Sequence, residues 1–326
     1  MKKMWKKSLS FFMVLMMTFA FAGCGKNSED KDAKKSTSDD KKETKGEMTI
    51  GYSVYWMSEF TTLMGDAMKE EAEKQGIKLL TSDGNQDPQL QLSQIENFIN
   101  QEVDAIVCAA IDPDAVAPGI AEAKEAGIPF VAINMVIDNE DVSAYVGPDD
   151  VQAGELAAQY VVDQLGSKGN VIVIQGGDGF SATNDRAEGV KNVLDKNPEI
   201  KALEMQSGDW DRAKSESLME NYIQKYGKEI GGVICHNDEM ALGAVQALQA
   251  AGMDKEVYVS GIDAIADACT WIEEGGPYAS VFQDPAVEGK LGLEYAVKLA
   301  NGEEVDPVDN YIEMTLVTAD NVADYK

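Results

Sequence analysis

From residue 48 onward, short runs of apolar residues alternate with longer stretches that place apolar residues at helical spacing. Short apolar runs bounded by turn residues are typical of buried strands, and the longer stretches are typical of amphipathic helices. Their alternation favours right-handed crossovers and parallel sheets, which indicates an α/β fold. One sheet with so many strands would be unusually wide, so two domains are expected. Strands are predicted at residues 49–55, 77–82, 105–111, 129–134, 171–175, 201–206, 232–236, 257–262 and 278–283, and a further strand runs into a turn within 144–149.

Three predicted helices begin with the same dipeptide, at Asp87-Pro88, Asp112-Pro113 and Asp284-Pro285. An aspartate accepts hydrogen bonds from the free N–H groups at a helix start, and proline suits the first helical position because its missing donor costs nothing there. Another helix is predicted from Thr62 to Gln75 and is closed by Gly76.

The stretch from residue 232 to 244 combines a strand, a tight turn and a helix. Its polar turn residues, Asn237 and Asp238, follow the carboxyl end of the predicted strand. Ligands of open α/β sheets bind at this edge, where helix N-termini direct free N–H groups into a crevice. We expect Asp238 to cap the helix and Asn237 to contact a ligand. The neighbouring His236 is either a crevice residue or a structural one.

Charge and composition exclude several classes of protein. The 326 residues include 57 acidic and 28 basic side chains, and the net charge of −29 makes nucleic acid and anionic membrane surfaces poor partners. The sequence has one histidine, so a Ser/His or Cys/His catalytic pair cannot form without it and no pair of histidines can bind a metal. We therefore expect a protein that is not an enzyme and has no cofactor or metal.

The N-terminus has the features of an export signal. Lysines precede an apolar core at residues 9–21, which is too short to span a bilayer permanently. The sequence Phe21-Ala22-Gly23-Cys24 resembles the lipobox of bacterial lipoproteins. This resemblance implies a signal peptide at residues 1–23 and lipid attachment at Cys24; the alternative is an ordinary signal peptide with an incidental cysteine. We expect a protein anchored by its lipid to the cell membrane, on the face outside the cytoplasm.

The segment that follows the cysteine contains no large apolar residue up to about residue 46. Such a composition cannot bury enough surface to offset the entropy of ordering, so residues 24–46 are predicted to be a disordered tether. Composition and turn signals place chain crossings near residues 148 and 283. The predicted N-terminal lobe is therefore residues 47–148 with 284–312, and the C-terminal lobe is residues 149–283 with 313–326.

The sequence from Asn237 to Ala244 is close to a motif of a known family, and the likeness extends from Met48 to the C-terminus. The chain resembles the periplasmic sugar-binding proteins of the ribose/galactose type, which serve bacterial ABC importers. The resemblance implies a type I periplasmic binding protein fold, with two doubly wound parallel-sheet lobes joined by a multi-strand hinge. It also implies a small-molecule sugar or polyol as ligand, ABC permease subunits as partners, and a monomer.

The resemblance assigns ligand contacts on the C-terminal lobe residue by residue. Arg186 matches an arginine that donates to sugar oxygens, and Trp210 matches an aromatic residue that stacks on the sugar ring. The alternatives are a plain salt bridge for Arg186 and a core position for Trp210. Asn237, Asp263 and Gln283 match the remaining polar positions.

The N-terminal lobe departs from the ribose-type pattern. Asn134 and Met135 stand where ribose-binding proteins have an Asp-Arg pair, which argues against ribose itself. A tyrosine followed four positions later by an acid, Tyr55 and Glu59, is similar to the galactose/glucose branch, so both are candidate partners of ligand hydroxyl groups. Either Phe60 or Trp56 would supply the second stacking face.

The expected function is capture of a monosaccharide or related polyol by closure of the two lobes, followed by delivery to an ABC importer. One alternative is a sensory receptor that presents its ligand to a chemoreceptor or histidine kinase. Another is a glycosidase that uses a pair of carboxylates such as Glu59 and Asp263, but nothing in their spacing requires it.

Overall fold

The computed structural model describes residues 47–325. The predicted signal peptide, the tether and the lipid-attachment residue Cys24 lie outside the described residues. The described part contains two six-stranded sheets, each with helices on both faces. This arrangement confirms the predicted α/β fold of two doubly wound, largely parallel-sheet lobes.

The sheet of the N-terminal lobe has the strand order β2-β1-β3-β4-β5-β11, and all of its neighbouring strands are parallel. Its strands are β1 (Thr49–Val54), β2 (Lys78–Asp83), β3 (Ala105–Cys108), β4 (Phe130–Ile133), β5 (Ala144–Gly147) and β11 (Asp309–Tyr311). Its helices are α1 (Glu59–Gln75), α2 (Pro88–Asn100), α3 (Pro113–Ala126) and α9 (Pro285–Ala300). Apolar side chains of α1 and α9 cover one face of this sheet, and those of α2 and α3 cover the other.

The sheet of the C-terminal lobe has the strand order β7-β6-β8-β9-β10-β12, and only its edge strand β12 is antiparallel among the described strands. Its strands are β6 (Gly169–Gln175), β7 (Ile200–Ser207), β8 (Gly232–Cys235), β9 (Tyr258–Ile262), β10 (Tyr278–Phe282) and β12 (Thr315–Val317). Its helices are α4 (Asp150–Gln164), α5 (Ser181–Lys196), α6 (Arg212–Tyr226), α7 (Asp238–Ala250) and α8 (Ala266–Glu273). Helices α4 and α5 pack on one face, and α6, α7 and α8 pack on the other.

The chain passes between the two sheets after β5, after β10 and between β11 and β12. These passages agree with the crossings expected near residues 148 and 283. The sheet memberships support the predicted lobe boundaries, which stay a proposal.

The Asp-Pro dipeptides begin helices as predicted, and each aspartate accepts hydrogen bonds from two backbone N–H groups. Helix α1, however, begins at Glu59 and not at Thr62. The reason is a capping box in which Ser58 Oγ accepts from the Thr61 N–H at 3.2 Å and Thr61 Oγ1 accepts from the Ser58 N–H at 2.7 Å.

Strand β3 ends at Cys108, three residues before the predicted end. The buried Gln91 side chain explains the difference, because it donates to the Ala109 carbonyl at 2.9 Å and accepts from the Ile111 N–H at 2.8 Å. The Gln91 side chain thus takes the place of strand partners at the Ala109 carbonyl and the Ile111 N–H. In the part of the chain that the structure describes, no helix is both long and apolar enough to cross a membrane.

Candidate functional site

A cavity of about 70 Å³ lies between the two lobes. All ten residues predicted to contact a ligand line it, together with four that were not predicted to do so: Ser58, Met135, Glu239 and Ile265. The predicted ligand-binding residues are Tyr55, Trp56, Glu59, Phe60, Asn134, Arg186, Trp210, Asn237, Asp263 and Gln283. The structure thus brings the predicted set together, while their roles in binding stay predictions.

Most of these side chains come from the carboxyl ends of parallel strands. Tyr55 directly follows β1, Asn134 follows β4, Asp263 follows β9 and Gln283 follows β10. The two sheets present these ends to the same crevice, as expected for ligand sites of open α/β sheets.

Arg186 extends from the first half of α5 and is 3% exposed. Its Nε donates to Asp150 Oδ1 at 2.7 Å and its Nη1 donates to the His236 carbonyl at 2.5 Å. Within residues 47–325, Nη2 makes no further hydrogen bond, so this donor is available to a ligand. The ion pair that was the alternative for Arg186 therefore exists, but it engages only part of the guanidinium.

A glycine allows the backbone of Arg186 to approach helix α4. A Cβ atom placed on Gly154 of α4 would lie 2.2 Å from the carbonyl oxygen of Arg186. This close approach of two helices brings the guanidinium within reach of Asp150 at the start of α4.

Asp263 has an unusual backbone conformation, with φ at +117°. Its Oδ1 accepts a 2.6 Å hydrogen bond from Gln283 Nε2, and Gln283 is 2% exposed. Burial raises the pKa of the Asp263 carboxyl to about 7, although the nearby Arg186 opposes this shift. A carboxylate in this state can gain or lose its proton near neutral pH.

Asn134 is held by the protein on both sides of its amide and has a left-handed backbone, with φ at +62°. Its Oδ1 accepts from the Tyr55 hydroxyl at 3.1 Å, and its Nδ2 donates to Glu288 Oε2 at 3.0 Å. Glu288 is fully buried in the first turn of α9, and this burial raises the pKa of its carboxyl well above the usual range. Sequence reasoning did not find Glu288, which resembles an ordinary acidic residue in a first helical turn.

The expected role of Asp238 needs correction, whereas the ligand contact of Asn237 stays a prediction. Asn237 is the residue that caps α7, and its Oδ1 accepts from the Met240 N–H at 3.0 Å. Asp238 lies one position inside the helix, fully buried, and accepts from the Tyr278 hydroxyl at 2.6 Å and from Ser280 Oγ at 2.8 Å. The prediction that Asp238 caps the helix was wrong because α7 starts one residue earlier than assumed.

Asp238 also accepts from the Ile265 N–H at 3.1 Å. This hydrogen bond fixes the loop after β9, which carries Asp263 into the cavity. Burial raises the pKa of the Asp238 carboxyl well above its usual range. Asp238 therefore holds the loop that carries Asp263 but does not itself line the cavity.

His236 is 1% exposed and does not line the cavity. Its Nδ1 accepts from the Gly176 N–H at 3.3 Å. Burial, reinforced by the charge of Arg186, lowers the pKa of the imidazole to about 3. The ring is therefore neutral at physiological pH, and the structural alternative for His236 is the correct one.

Aromatic side chains line the cavity from both lobes. Trp210 is half-buried and follows Asp209, and both have left-handed backbones with φ near +60°. Gly176 makes room for its ring, because a Cβ atom there would lie 2.0 Å from Trp210 Cζ2. The guanidinium carbon of Arg186 lies 5.7 Å from the centre of the Trp210 ring, close enough for a cation–π contact.

Glu59 belongs to the N-terminal lobe but hydrogen bonds to the other lobe. Its Oε1 accepts from the Ala266 N–H of α8 at 3.3 Å. The residue before α8, Ile265, has no side chain that can cap this helix. Glu59 therefore joins the two lobes directly, in addition to lining the cavity.

Within residues 47–325, no group of three or more His, Cys, Asp or Glu side chains is arranged to hold a metal ion. A crevice between two doubly wound lobes, lined by hydrogen-bonding and aromatic side chains, defines a two-lobed solute-binding protein. Comparison of the chain with known proteins leads to the same class. The model of the family described as periplasmic binding protein domain matches residues 50–304.

A xylitol-binding protein of Mycolicibacterium smegmatis is 39% identical over 275 residues, which cover 84% of this chain and 78% of that protein. A ribose import binding protein of Bacillus subtilis is 34% identical over 301 residues, which cover 92% of this chain and 95% of that protein. An ABC transporter solute binding protein from Bacillus halodurans, solved with bound myo-inositol, has a TM-score of 0.82 and 36% identity over 86% of this chain and 97% of that chain. The chain belongs to the periplasmic binding protein family of the ribose/galactose type, with its type I fold, and it is a binding protein rather than an enzyme.

Proposed function

We propose that this protein captures one monosaccharide or related polyol between its lobes and delivers it to an ABC importer. The observation that carries the proposal is the cavity between the lobes, where donors, acceptors and aromatic faces from both sheets converge. Two buried polar atoms of this lining, Trp210 Nε1 and Gln283 Oε1, have no hydrogen-bond partner among residues 47–325. Ligand hydroxyl groups would satisfy both, because a hydroxyl can donate and accept.

The size of the cavity supports a small ligand. A volume of about 70 Å³ corresponds to roughly five water molecules, since each needs ~10–15 Å³ on this measure. One sugar ring or one short polyol suits this space, and an oligosaccharide does not. The relatives that bind xylitol, ribose and myo-inositol support the same class of ligand.

The charge of the cavity favours an uncharged ligand. Three carboxyl groups, Glu59, Glu239 and Asp263, and one guanidinium, Arg186, belong to the described residues that line it, and of the carboxyl groups Glu239 is paired with Arg212. The guanidinium is already paired with the buried Asp150. A carboxylate or phosphate on the ligand would meet unfavourable like charges, so we expect sugar acids and sugar phosphates to be excluded.

The N-terminal lobe supports a ligand other than ribose. The amide of Asn134 is already bonded to Tyr55 and Glu288, and the neighbouring Met135 offers no charged donor. Asn134 and Met135 thus put two neutral side chains where the ribose type has a charged Asp-Arg pair. We therefore propose a polyol or cyclitol as the preferred ligand.

We further propose that Cys24 carries the lipid anchor and that residues 24–46 tether the lobes to the membrane. Replacing Cys24 with serine should abolish incorporation of labelled palmitate and release the protein from the membrane fraction. A variant that keeps both the label and its membrane attachment would remove Cys24 from this role.

Isothermal titration calorimetry of the purified protein tests the choice of ligand, with xylitol, myo-inositol, ribose and galactose as probes and glucuronate as the charged control. A ligand at a hundred times its Kd should also add about 2.7 kcal/mol of stability. Binding of xylitol or myo-inositol supports the proposal. Binding of ribose or galactose alone would refute the preference for a polyol or cyclitol, and binding of glucuronate alone would refute the expectation of a neutral ligand.

Delivery is tested in cells by the uptake of the radiolabelled ligand. Deletion of the gene should abolish high-affinity uptake if the protein serves an importer. Unchanged uptake together with loss of a transcriptional or motility response to the ligand would favour a sensory receptor.

A further inference from the structure

Phe180 occupies a position where its side chain has no local role. It directly precedes α5 at the capping position, where a polar side chain would accept from the free N–H groups, and it makes no capping hydrogen bond. The preceding Gly179 is exposed and has a left-handed backbone, with φ at +93°. Phe180 is nevertheless only 6% exposed, so tertiary contacts must bury its ring.

The contacts that bury this ring come from both lobes. The centre of the Phe180 ring lies 6.2 Å from that of Tyr55 and 5.6 Å from that of Trp56, which belong to the N-terminal lobe. It lies 5.9 Å from the ring of Trp210 in the C-terminal lobe. The interplanar angles are 89°, 84° and 90°, so each contact has the edge-to-face geometry that aromatic pairs favour.

We infer that Phe180 is a positioning residue that contacts the opposite lobe on closure and fixes the indole rings of Trp56 and Trp210 as the walls of the ligand site. Phe180 does not itself line the cavity, so it acts through the two tryptophans. The inference rests on the proposed function in one respect: it takes the cavity to be the ligand site.

The same contacts connect the shape of the site with lobe closure. Phe180 follows β6 in the C-terminal lobe, yet its ring packs with the apolar core of the N-terminal lobe. Opening of the crevice would separate Phe180 from Tyr55 and Trp56. Loss of the ring should therefore favour the open form and release the two indoles at the same time.

The test compares Phe180→Leu with Phe180→Tyr in the full-length protein, and Phe98→Leu is the matched control. Phe98 is a buried phenylalanine of α2, which lies with α3 on one face of the N-terminal sheet. It belongs to a different core cluster from Phe180. Acrylamide quenching of tryptophan fluorescence reports the exposure of the indoles without any ligand. All proteins compared, the parent included, carry Trp5→Phe and Trp271→Phe, so that the only tryptophans left in the sequence are Trp56 and Trp210.

We expect Phe180→Leu to increase quenching at least twofold and to increase the radius of gyration measured by small-angle scattering. Phe180→Tyr should behave like the parent because its ring is retained. Phe98→Leu should lower the melting temperature without changing either measurement. Quenching and radius unchanged in Phe180→Leu would overturn the inference.

A second readout is the Kd for whichever neutral probe the parent binds, measured on the same variants. Phe180→Leu should weaken binding about tenfold, because each edge-to-face pair is worth on the order of two- to tenfold in an equilibrium constant. Equal affinity of Phe180→Leu and parent would overturn the inference. If no probe binds the parent, the proposed ligand class fails, while the quenching result still decides the role of Phe180.

Discussion

Replacing Arg186 with methionine should affect stability and ligand affinity separately, because the guanidinium is paired with Asp150 and is also proposed to bind the ligand. Its side chain is 4% exposed and that of its partner Asp150 is 1% exposed, so both charges are removed from water. Breaking a buried ion pair by removing one partner typically costs about 3–5 kcal/mol. A domain of this size loses about 2–4 °C per kcal/mol, so the melting temperature of Arg186→Met should fall by about 10 °C.

The loss of stability in Arg186→Met should be smaller at low pH than at high pH. Burial already raises the pKa of Asp150, and removal of Arg186 raises it further because the guanidinium stabilises the ionised form. A group whose pKa is higher in the folded state than in the unfolded state binds more protons when folded, so its effect on stability becomes less favourable as the pH rises. Denaturant unfolding should therefore show a smaller loss at pH 5 than at pH 8.

The affinity for ligand should fall by about 1.5–3 kcal/mol, or roughly 10- to 200-fold in Kd, the range for hydrogen bonds to charged groups. The double variant Asp150→Asn, Arg186→Met separates the two effects. The double variant has no buried charge at either position, so its free energy of unfolding should return to within about 1 kcal/mol of that of the parent. Its affinity should stay as low as that of the single variant.

Calorimetry and urea unfolding on the parent and the two variants measure these effects. A double variant that binds with parental affinity would show that Arg186 does not contact the ligand. A single variant that loses less than about 1 kcal/mol of stability would show that the ion pair contributes little to the fold.

Three further substitutions test other parts of the site and fold. Since the pKa of Asp263 is raised to about 7, the ionised fraction of this carboxyl increases between pH 6 and 8. If the carboxylate accepts from ligand hydroxyl groups, as proposed, calorimetry should show affinity rising over this range in the parent and staying constant in Asp263→Asn. Glu59→Ala removes the hydrogen bond from the Ala266 N–H, which joins the two lobes, and the loss of this exposed contact alone should weaken binding of every neutral probe by up to about fivefold. A larger loss for one probe would show that Glu59 also contacts that ligand, and an affinity that calorimetry finds unchanged for all probes would contradict the prediction. Gly289→Ala places a Cβ atom 2.2 Å from the Met64 carbonyl oxygen and should push α9 away from α1. Calorimetry should therefore show a lower melting temperature, and an unchanged melting temperature would refute this prediction.

The parts of the fold that the sequence predicts well are those with local causes. The Asp-Pro helix starts depend only on hydrogen bonds within four residues, and all three are found. The start of α1 was placed three residues too late because its cap is Ser58 with Thr61, a less common form of the capping box. The strands of the two sheet interiors were found because continuous apolar runs are buried on both faces.

The parts that were missed depend on distant residues. Strands β11 and β12 contain three residues each and have no apolar run of strand length, and they form because an edge of each sheet offers partners. Phe180 and Glu288 were missed for the same reason. Nothing near either residue in the sequence shows that it contacts an aromatic ring or an amide on another element.

All ten residues predicted to bind the ligand line one cavity, although four further lining residues were not predicted and the binding roles stay predictions. Most of these positions follow strands, and the carboxyl ends of parallel strands meet at one edge. What the sequence could not provide was the state of each group. The pKa of Asp263 is raised by burial, which depends on the packing of the whole site, and the amide of Asn134 is engaged by Tyr55 and Glu288, which are far from it in the sequence.

The placement of β11 and β12 has a consequence for biosynthesis. Residues 309–311 complete the edge of one sheet, and residues 315–317 complete the edge of the other. A ribosome must therefore reach residue 311 before the N-terminal lobe has all of its strands, and residue 317 before the C-terminal lobe does. A nascent chain that stops before residue 309 lacks an edge strand in both lobes. The order of synthesis thus keeps both lobes incomplete until these two strands emerge, one shortly after the other, a useful property for any chain that must cross a membrane unfolded.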